Sequence, residues 1–109
     1  TVRARVTVGL GLASAAKALV AENAAAAAAT LDAGFVAPAA TPSVTSVAVD
    51  GTNGTITITY TAAAGNGTMT FVPTSNTVAL APLTPPAGAI EWNCTGGTLN
   101  DRFRPANCR

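Results

Sequence analysis

The sequence predicts an α+β domain: a long N-terminal α-helix packed on a four-stranded antiparallel sheet, with a C-terminal disulfide-closed loop. Three observations predict it. The first thirty residues are rich in alanine and contain no proline, alternating apolar and polar runs separated by Gly- and Pro-rich turns follow, and the only two cysteines lie near the end. A chain of 109 residues is enough for one domain with one core, so residues 1–109 are predicted to form a single domain.

The helix is predicted over residues 1–33, because alanine is the strongest helix former, Gly34 can close a helix and Pro38 prevents its continuation. At 100° per residue, its apolar side chains form two stripes rather than one. The stripe expected to face the sheet contains Val2, Val6, Leu10 and Val20. The second stripe contains Val8, Leu12, Ala15 and Leu19. Two interpretations stay open: the second stripe packs on another molecule, or the whole helix lies deep in one core. In the first interpretation the roles of the two stripes could also be reversed.

A connector and then a sheet follow the helix. Residues 34–43 contain two prolines and form an irregular connector, in which Phe35 and Val36 are expected to pack under the domain. The predicted strands are residues 44–50, 55–61, 77–83 and 89–94. Residues 69–72 form either a short strand or an ordered loop, and Pro73 would limit a strand there to an edge. The predicted apolar face of the sheet consists of Val47, Val49, Ile56, Ile58, Tyr60, Val78, Leu80, Ile90 and Trp92.

The composition argues against several classes of function. Charged residues make up 10% of the chain and the net charge is +1, which disfavours a general electrostatic grip on nucleic acid. There is no histidine and the five carboxylates are scattered, so we expect no enzyme, no metal, no cofactor and no soluble substrate. No run of eighteen strongly apolar residues is present, so we expect no membrane span in this stretch of chain.

The C-terminal region is predicted to be a covalently closed loop. Cys94 and Cys108 favour a disulfide and hence an oxidising compartment, with two buried free thiols as the alternative. Such a disulfide would stabilise the fold by about 3 kcal/mol in the chain-entropy model. Leu99 and Phe103 are expected to fix the loop to the domain. The arginines Arg102, Arg104 and Arg109, opposed by Asp101, are expected to be a solvated rim, with a surface-contact patch as the alternative.

Three segments near the two ends of the chain carry distinctive motifs: Val6 to Glu22, Ile90 to Cys94 and Arg104 to Arg109. The first resembles the second half of the helix of type IVa pilins, and the other two resemble the Trp-x-Cys and Pro-x-x-Cys ending of type IVa major pilins. The sequence departs from the family pattern at Val8, where Glu is frequent, and at Ala15, where Gly is common. The resemblance implies the pilin fold and a soluble truncated form that lacks the apolar N-terminal half of the pilin helix.

The resemblance also implies a function. The chain would be a structural subunit of a type IV pilus, a helical homopolymer on the bacterial surface that supports adhesion, twitching motility and DNA uptake. Its partners would be other pilin subunits through the second stripe, the inner-membrane assembly machinery, and host surfaces, abiotic surfaces or DNA. The full-length protein would form an inner-membrane pool before assembly. One alternative is a minor pilin or a type II secretion pseudopilin. An alternative of another class is a surface-ligand or DNA-binding module that acts through residues 95–107, with Arg102 and Arg104.

Overall fold

The structure, a computed structural model, describes residues 2–109. One α-helix packs on a curled antiparallel sheet, as predicted, and the sheet has five strands. The helix α1 spans Val2–Ala25. The strands are β1 (Val44–Val49), β2 (Ile56–Tyr60), β3 (Thr68–Ser75), β4 (Val78–Ala79) and β5 (Ile90–Gly96). Short 3₁₀ turns lie at Ala62–Ala64, Asp101–Phe103 and Ala106–Cys108.

The helix ends at Ala25, well before the predicted end at residue 33, and the predicted start at Thr1 lies outside the described residues. The termination is a local backbone motif rather than a glycine. Ala27 has a φ of 52°, and the amides of Ala27 and Ala28 donate to the carbonyls of Ala24 and Asn23 at 3.2 and 3.0 Å. This is the Schellman pattern of hydrogen bonds, formed here with alanine in the left-handed position that glycine usually occupies.

The segment after α1 is fixed by an asparagine and a leucine. The Asn23 amide Nδ2 donates to the carbonyls of Leu31 and Ala33, at 2.9 Å in each case. The Leu31 side chain is fully buried and packs with Val20 and Leu80. Burial of Leu31 between helix and sheet requires the chain to turn early, which explains why the polyalanine run does not extend α1.

The central strand of the sheet is β3, a segment whose state the sequence left open. It pairs with β2 over Thr68 to Phe71 and, on its other edge, with β5. Pro73 lies where the pairing with β2 has ended and that with β4 has not begun. Pro73 has no N–H to donate, but no strand is paired with it on that edge, so no hydrogen bond of the sheet is lost. Proline is therefore tolerated inside the sheet.

The strand predicted over residues 77–83 is wrong, because only Val78 and Ala79 pair with β3. Asn76 and Thr77 have φ values of 51° and 64°, which make a two-residue hairpin turn after Ser75. The chain then leaves the sheet. Val78 is 65% exposed instead of facing the core.

The core consists of two clusters of buried side chains between α1 and the sheet. The larger contains Val6, Ala13, Ala16, Val44, Val47, Ile56, Ile58, Tyr60, Ala64, Met69, Phe71, Cys94, Leu99 and Cys108. The smaller contains Val20, Ala24, Leu31 and Leu80. Phe35 packs against the larger cluster, whereas Val36 is 85% exposed and does not pack under the domain as expected.

A tyrosine joins the helix to the sheet. The Tyr60 hydroxyl donates to the carbonyl of Val6 at 2.8 Å, and burial raises the pKa of Tyr60 to about 12. Gly9 lies against the Tyr60 ring so closely that a Cβ on Gly9 would fall 2.6 Å from Cε1 of the tyrosine. The close approach of α1 to β2 therefore requires glycine at this position.

Candidate functional site

One face of α1 is occupied by the sheet of the same chain. The fully buried helix residues recur every three or four positions: Val6, Gly9, Ala13, Ala16, Val20 and Ala24. Val2 and Leu10, which flank this line, are half-buried against the larger cluster. The structure thus places all four residues of the predicted sheet-facing stripe on or beside the buried face.

The second stripe is only partly covered. Val8 is 47% exposed and Ala15 is exposed, while Leu12 and Leu19 are half-buried and Leu12 packs against the larger core cluster. Together with the connector, this stripe forms a groove of about 280 Å³, whose walls are Gly11, Leu12, Ala15, Ala16 and Leu19 on α1 and Phe35, Val36 and Pro38 opposite.

Two small residues leave the helix backbone accessible in this groove. Gly11 has no atom within 4 Å of the position that a Cβ would occupy, and Ala15 lies one turn further along the same face. Small side chains at such spacing leave room for close approach of another chain segment.

The disulfide closes the C-terminal loop, as predicted. Cys94 in β5 is bonded to Cys108, with the two Cα atoms 4.8 Å apart. Leu99 is buried beneath the loop and Phe103 packs beside it. The loop is therefore a fixed part of the domain.

Arg104 is not a rim residue, contrary to the prediction for it. Its side chain is 2% exposed and lies inside the disulfide loop. Nε donates to the carbonyl of Leu99 at 2.9 Å, and Nη2 donates to that of Gly97 at 3.0 Å. Nη1 points at the carbonyls of Thr95 (2.8 Å), Gly96 (2.9 Å), Cys94 and Cys108 (both 3.3 Å).

This arrangement explains why an arginine is buried there. Loop backbone that turns inward exposes carbonyl oxygens without strand partners, and the fork of guanidinium N–H groups satisfies several of them at once. The Asp101 carboxylate, 76% exposed, lies 3.8 Å from Nε of Arg104 and adds little. Arg102 and Arg109 are exposed, and Arg109 donates to the carbonyls of Asp101 and Arg104. The three arginines thus do not form one surface patch.

A lysine on aromatic rings is a feature that the sequence did not predict. The Lys17 ammonium lies 4.3 Å from the Phe71 ring centre and 5.9 Å from that of Trp92, and partial burial lowers its pKa. No spacing in the sequence indicates this contact, since it needs β3 and β5 side by side.

Among the described residues, no group of three Cys, Asp or Glu side chains is placed to hold a metal ion.

The comparison with known families agrees with this geometry. Residues 2–109 match the family model described as pilin, a bacterial filament protein. This chain belongs to the pilin family. Comparisons with curated proteins and with solved structures give no significant match. Pilins are structural, non-enzymatic proteins, so the chain is a pilus subunit whose partners are further pilin subunits in an extracellular filament.

The helix of this pilin also meets the length and composition of a membrane span, although no such segment was expected. This holds for Val2–Ala25, of which only part is buried in the domain. A core helix of a soluble protein passes the same test, so the finding is weak evidence for an inner-membrane pool.

Proposed function

We propose that this pilin is the major subunit of a type IVa pilus and that its second stripe packs against α1 of neighbouring subunits. The observation that carries the proposal is the open apolar groove beside the sheet-covered face of α1. In its wall Ala15 is exposed and Leu19 is half-buried, while Leu12, also half-buried, packs against the larger core cluster. Membership of a filament family supplies the occupant, a second copy of the same helix.

In a filament the contact would be heterologous, so that the groove of one subunit receives a different part of the surface of α1 from the next. A heterologous contact that does not close a ring generates a helical filament. The filament would act in surface adhesion, twitching motility and DNA uptake, while the inner-membrane assembly machinery would add and remove subunits.

A pair of charged substitutions tests the stripe. Leu12→Glu with Leu19→Glu in the full-length protein would place two carboxylates in the groove, whose burial between subunits carries a large desolvation cost. We expect surface fibres to be lost while the isolated domain keeps its helical circular dichroism. The control is Ala18→Glu, an exposed position about 100–120° around the helix from both leucines. Normal fibres in the double variant, or an unfolded domain, would contradict the assignment.

The abundance of the chain separates a major subunit from a minor pilin or a pseudopilin. If the proposal holds, this chain is the main protein of fibres sheared from the cell surface, and its deletion removes them. A trace amount in those fibres would indicate a minor pilin. Burial of Arg104 leaves Arg102 as the one exposed arginine of residues 95–107, which removes half of the charge on which the ligand-binding alternative depended.

A further inference from the structure

The contact of Lys17 with two aromatic rings lies in an open pocket of about 190 Å³. The pocket is formed by three parts of the fold, namely α1, the sheet and the C-terminal loop. We call it the Lys17 pocket, and its lining includes Ser14, Lys17, Phe71, Trp92, Asn107 and the Cys94–Cys108 disulfide. It shares no lining residue with the groove of the second stripe, so it is a separate site.

The ammonium group of Lys17 has no anionic partner in the domain. Lys17 is the only lysine of the chain, and its side chain is half-buried. The single ion pair within residues 2–109 joins Arg104 to Asp101, so no carboxylate there neutralises Lys17. Partial burial lowers the pKa of Lys17, because the charged form has lost part of its hydration. The pocket therefore holds a positive charge that an anion from outside would stabilise.

The aromatic rings satisfy this charge only in part. The ammonium lies 4.3 Å from the Phe71 ring centre and 5.9 Å from that of Trp92, and both ring faces attract a cation. An ammonium also has three N–H donors, and a carboxylate would supply both the opposite charge and strong acceptor oxygens. Attraction between the two charges is stronger in a partly dehydrated pocket than at an open surface.

A second polar group lines the same pocket. Asn107 is exposed and has an amide that can donate a hydrogen bond to the other carboxylate oxygen. The Ser14 hydroxyl already donates to the carbonyl of Leu10 at 3.2 Å, which leaves Asn107 as the neutral donor for a ligand. One cationic and one neutral donor are a suitable pair for a single carboxylate.

The remaining lining selects an anion with an apolar body. Phe71, Trp92 and the disulfide offer apolar surface, on which a ring gains by leaving water. A cavity of about 150 Å³ is known to hold benzene, so about 190 Å³ accommodates one ring with a carboxylate. A small anion without such a body is better hydrated in bulk water than in this pocket.

We propose that the Lys17 pocket binds a small aromatic carboxylate, with the carboxylate on the Lys17 ammonium and the ring against Phe71 and Trp92. The site is complete within one subunit. Its occupation therefore does not depend on filament assembly, and the inference goes beyond the proposed function.

The first test is titration of the 109-residue chain with benzoate, followed by fluorescence of Trp92, the single tryptophan. We expect a saturable change with a dissociation constant on the order of 1 mM, as suits a ligand of about nine non-hydrogen atoms. Benzyl alcohol has the ring without the charge, and acetate has the charge without the ring. Each should bind at least about tenfold more weakly. An absent or unsaturable response to benzoate, or equal affinity for benzyl alcohol, would overturn the inference.

The second test removes the charge from the pocket. Lys17→Met keeps an unbranched side chain on the rings but has no ammonium, so benzoate should bind at least about tenfold more weakly. The matched control is Arg3→Met, which removes one positive charge from an exposed position of the same helix and should change the affinity by less than about twofold. Circular dichroism checks that both variants are folded. Equal affinity in the folded Lys17→Met variant and the unaltered chain would mean adventitious binding only and would overturn the inference.

A third measurement needs no substitution and decides the matter if Lys17→Met does not fold. Because the chain has one lysine, isotope-labelled lysine gives a single set of side-chain signals in the nuclear magnetic resonance spectrum. Benzoate should shift the signal of the methylene group next to the ammonium, with the same dissociation constant as the Trp92 fluorescence. A Lys17 signal that stays unchanged while the fluorescence saturates would place benzoate elsewhere and contradict the proposed site.

Discussion

Replacement of Arg104 by methionine tests whether one buried side chain organises the C-terminal loop. In the structure its guanidinium makes four hydrogen bonds of 3.0 Å or less, to the carbonyls of Leu99, Gly97, Thr95 and Gly96. Methionine has a similar length and fills much of the same space, so the substitution removes the donors and leaves the packing largely in place.

The expected loss follows from the number of bonds and from the cost of burial. A hydrogen bond with a charged donor contributes about 1.5–3 kcal/mol, and such contributions are not additive. Desolvation of the guanidinium offsets part of the total, whereas its removal leaves carbonyl groups without partners. We expect Arg104→Met to lower the free energy of unfolding by about 3–5 kcal/mol, a large share of the 5–15 kcal/mol typical of a domain.

Urea unfolding followed by fluorescence of the single tryptophan, Trp92, measures this loss with the disulfide intact. With a slope of about 1–2 kcal/mol per M, the midpoint should fall by roughly 1.5–5 M. Arg102→Met, an exposed neighbour, is the matched control and should change stability by less than about 0.5 kcal/mol. A loss below about 1 kcal/mol for Arg104→Met would refute the reasoning, because it would mean that water satisfies these carbonyls as well.

Three further predictions concern the same domain. Reduction of the Cys94–Cys108 bond, which spans 14 residues, should lower the free energy of unfolding by about 3 kcal/mol in urea, and an unchanged midpoint would contradict this. Because the pKa of Tyr60 is raised to about 12, unfolded tyrosine loses its proton first and stability should fall by about 1–3 kcal/mol between about pH 10 and 12. Tyr60→Phe should not show this fall in stability, and the absorbance of the single tyrosine follows its titration in the unaltered protein. If stability changed equally with pH in both proteins, the fall could not be assigned to Tyr60. Gly9→Ala should lower the free energy of unfolding by about 1–3 kcal/mol because the new methyl group collides with the Tyr60 ring, whereas Gly11→Ala, which has open space around it, should raise it by up to about 1 kcal/mol. Thermal melts compare the two variants, and equal effects would contradict this packing.

The part of the fold that depends on local pattern was predictable. Strict alternation in residues 56–60 defined β2, and the turn residues before it defined the β1–β2 hairpin. Strand β3 was left undecided because Pro73 argues against an interior strand, and only the end of β2 pairing at Phe71 shows why it is tolerated. Such information is a property of strand register, which a single sequence does not contain.

Other features could not be predicted from the sequence because they depend on tertiary contacts. The early end of α1 depends on the burial of Leu31 and on the Asn23 amide, while local propensity favours continuation through the alanines. Arg104 was taken for a surface residue because arginine is almost never fully buried unless it is paired. Its partners are backbone carbonyls of the loop that it fills, and these carry no side-chain signature.

The two faces of α1 use small residues for different purposes. On the buried face, Gly9 and Ala13 bring the helix close to the sheet and thereby fix the subunit. On the free face, Gly11 and Ala15 leave the backbone open, in a groove that the domain does not fill. A helix that only covered a sheet would carry polar side chains over the rest of its surface. On α1 the most exposed side is polar, with Arg3, Thr7, Ser14 and Glu22, but Val8 and Leu19 lie between that side and the sheet. Retention of that apolar surface is understandable if assembly into the filament buries it.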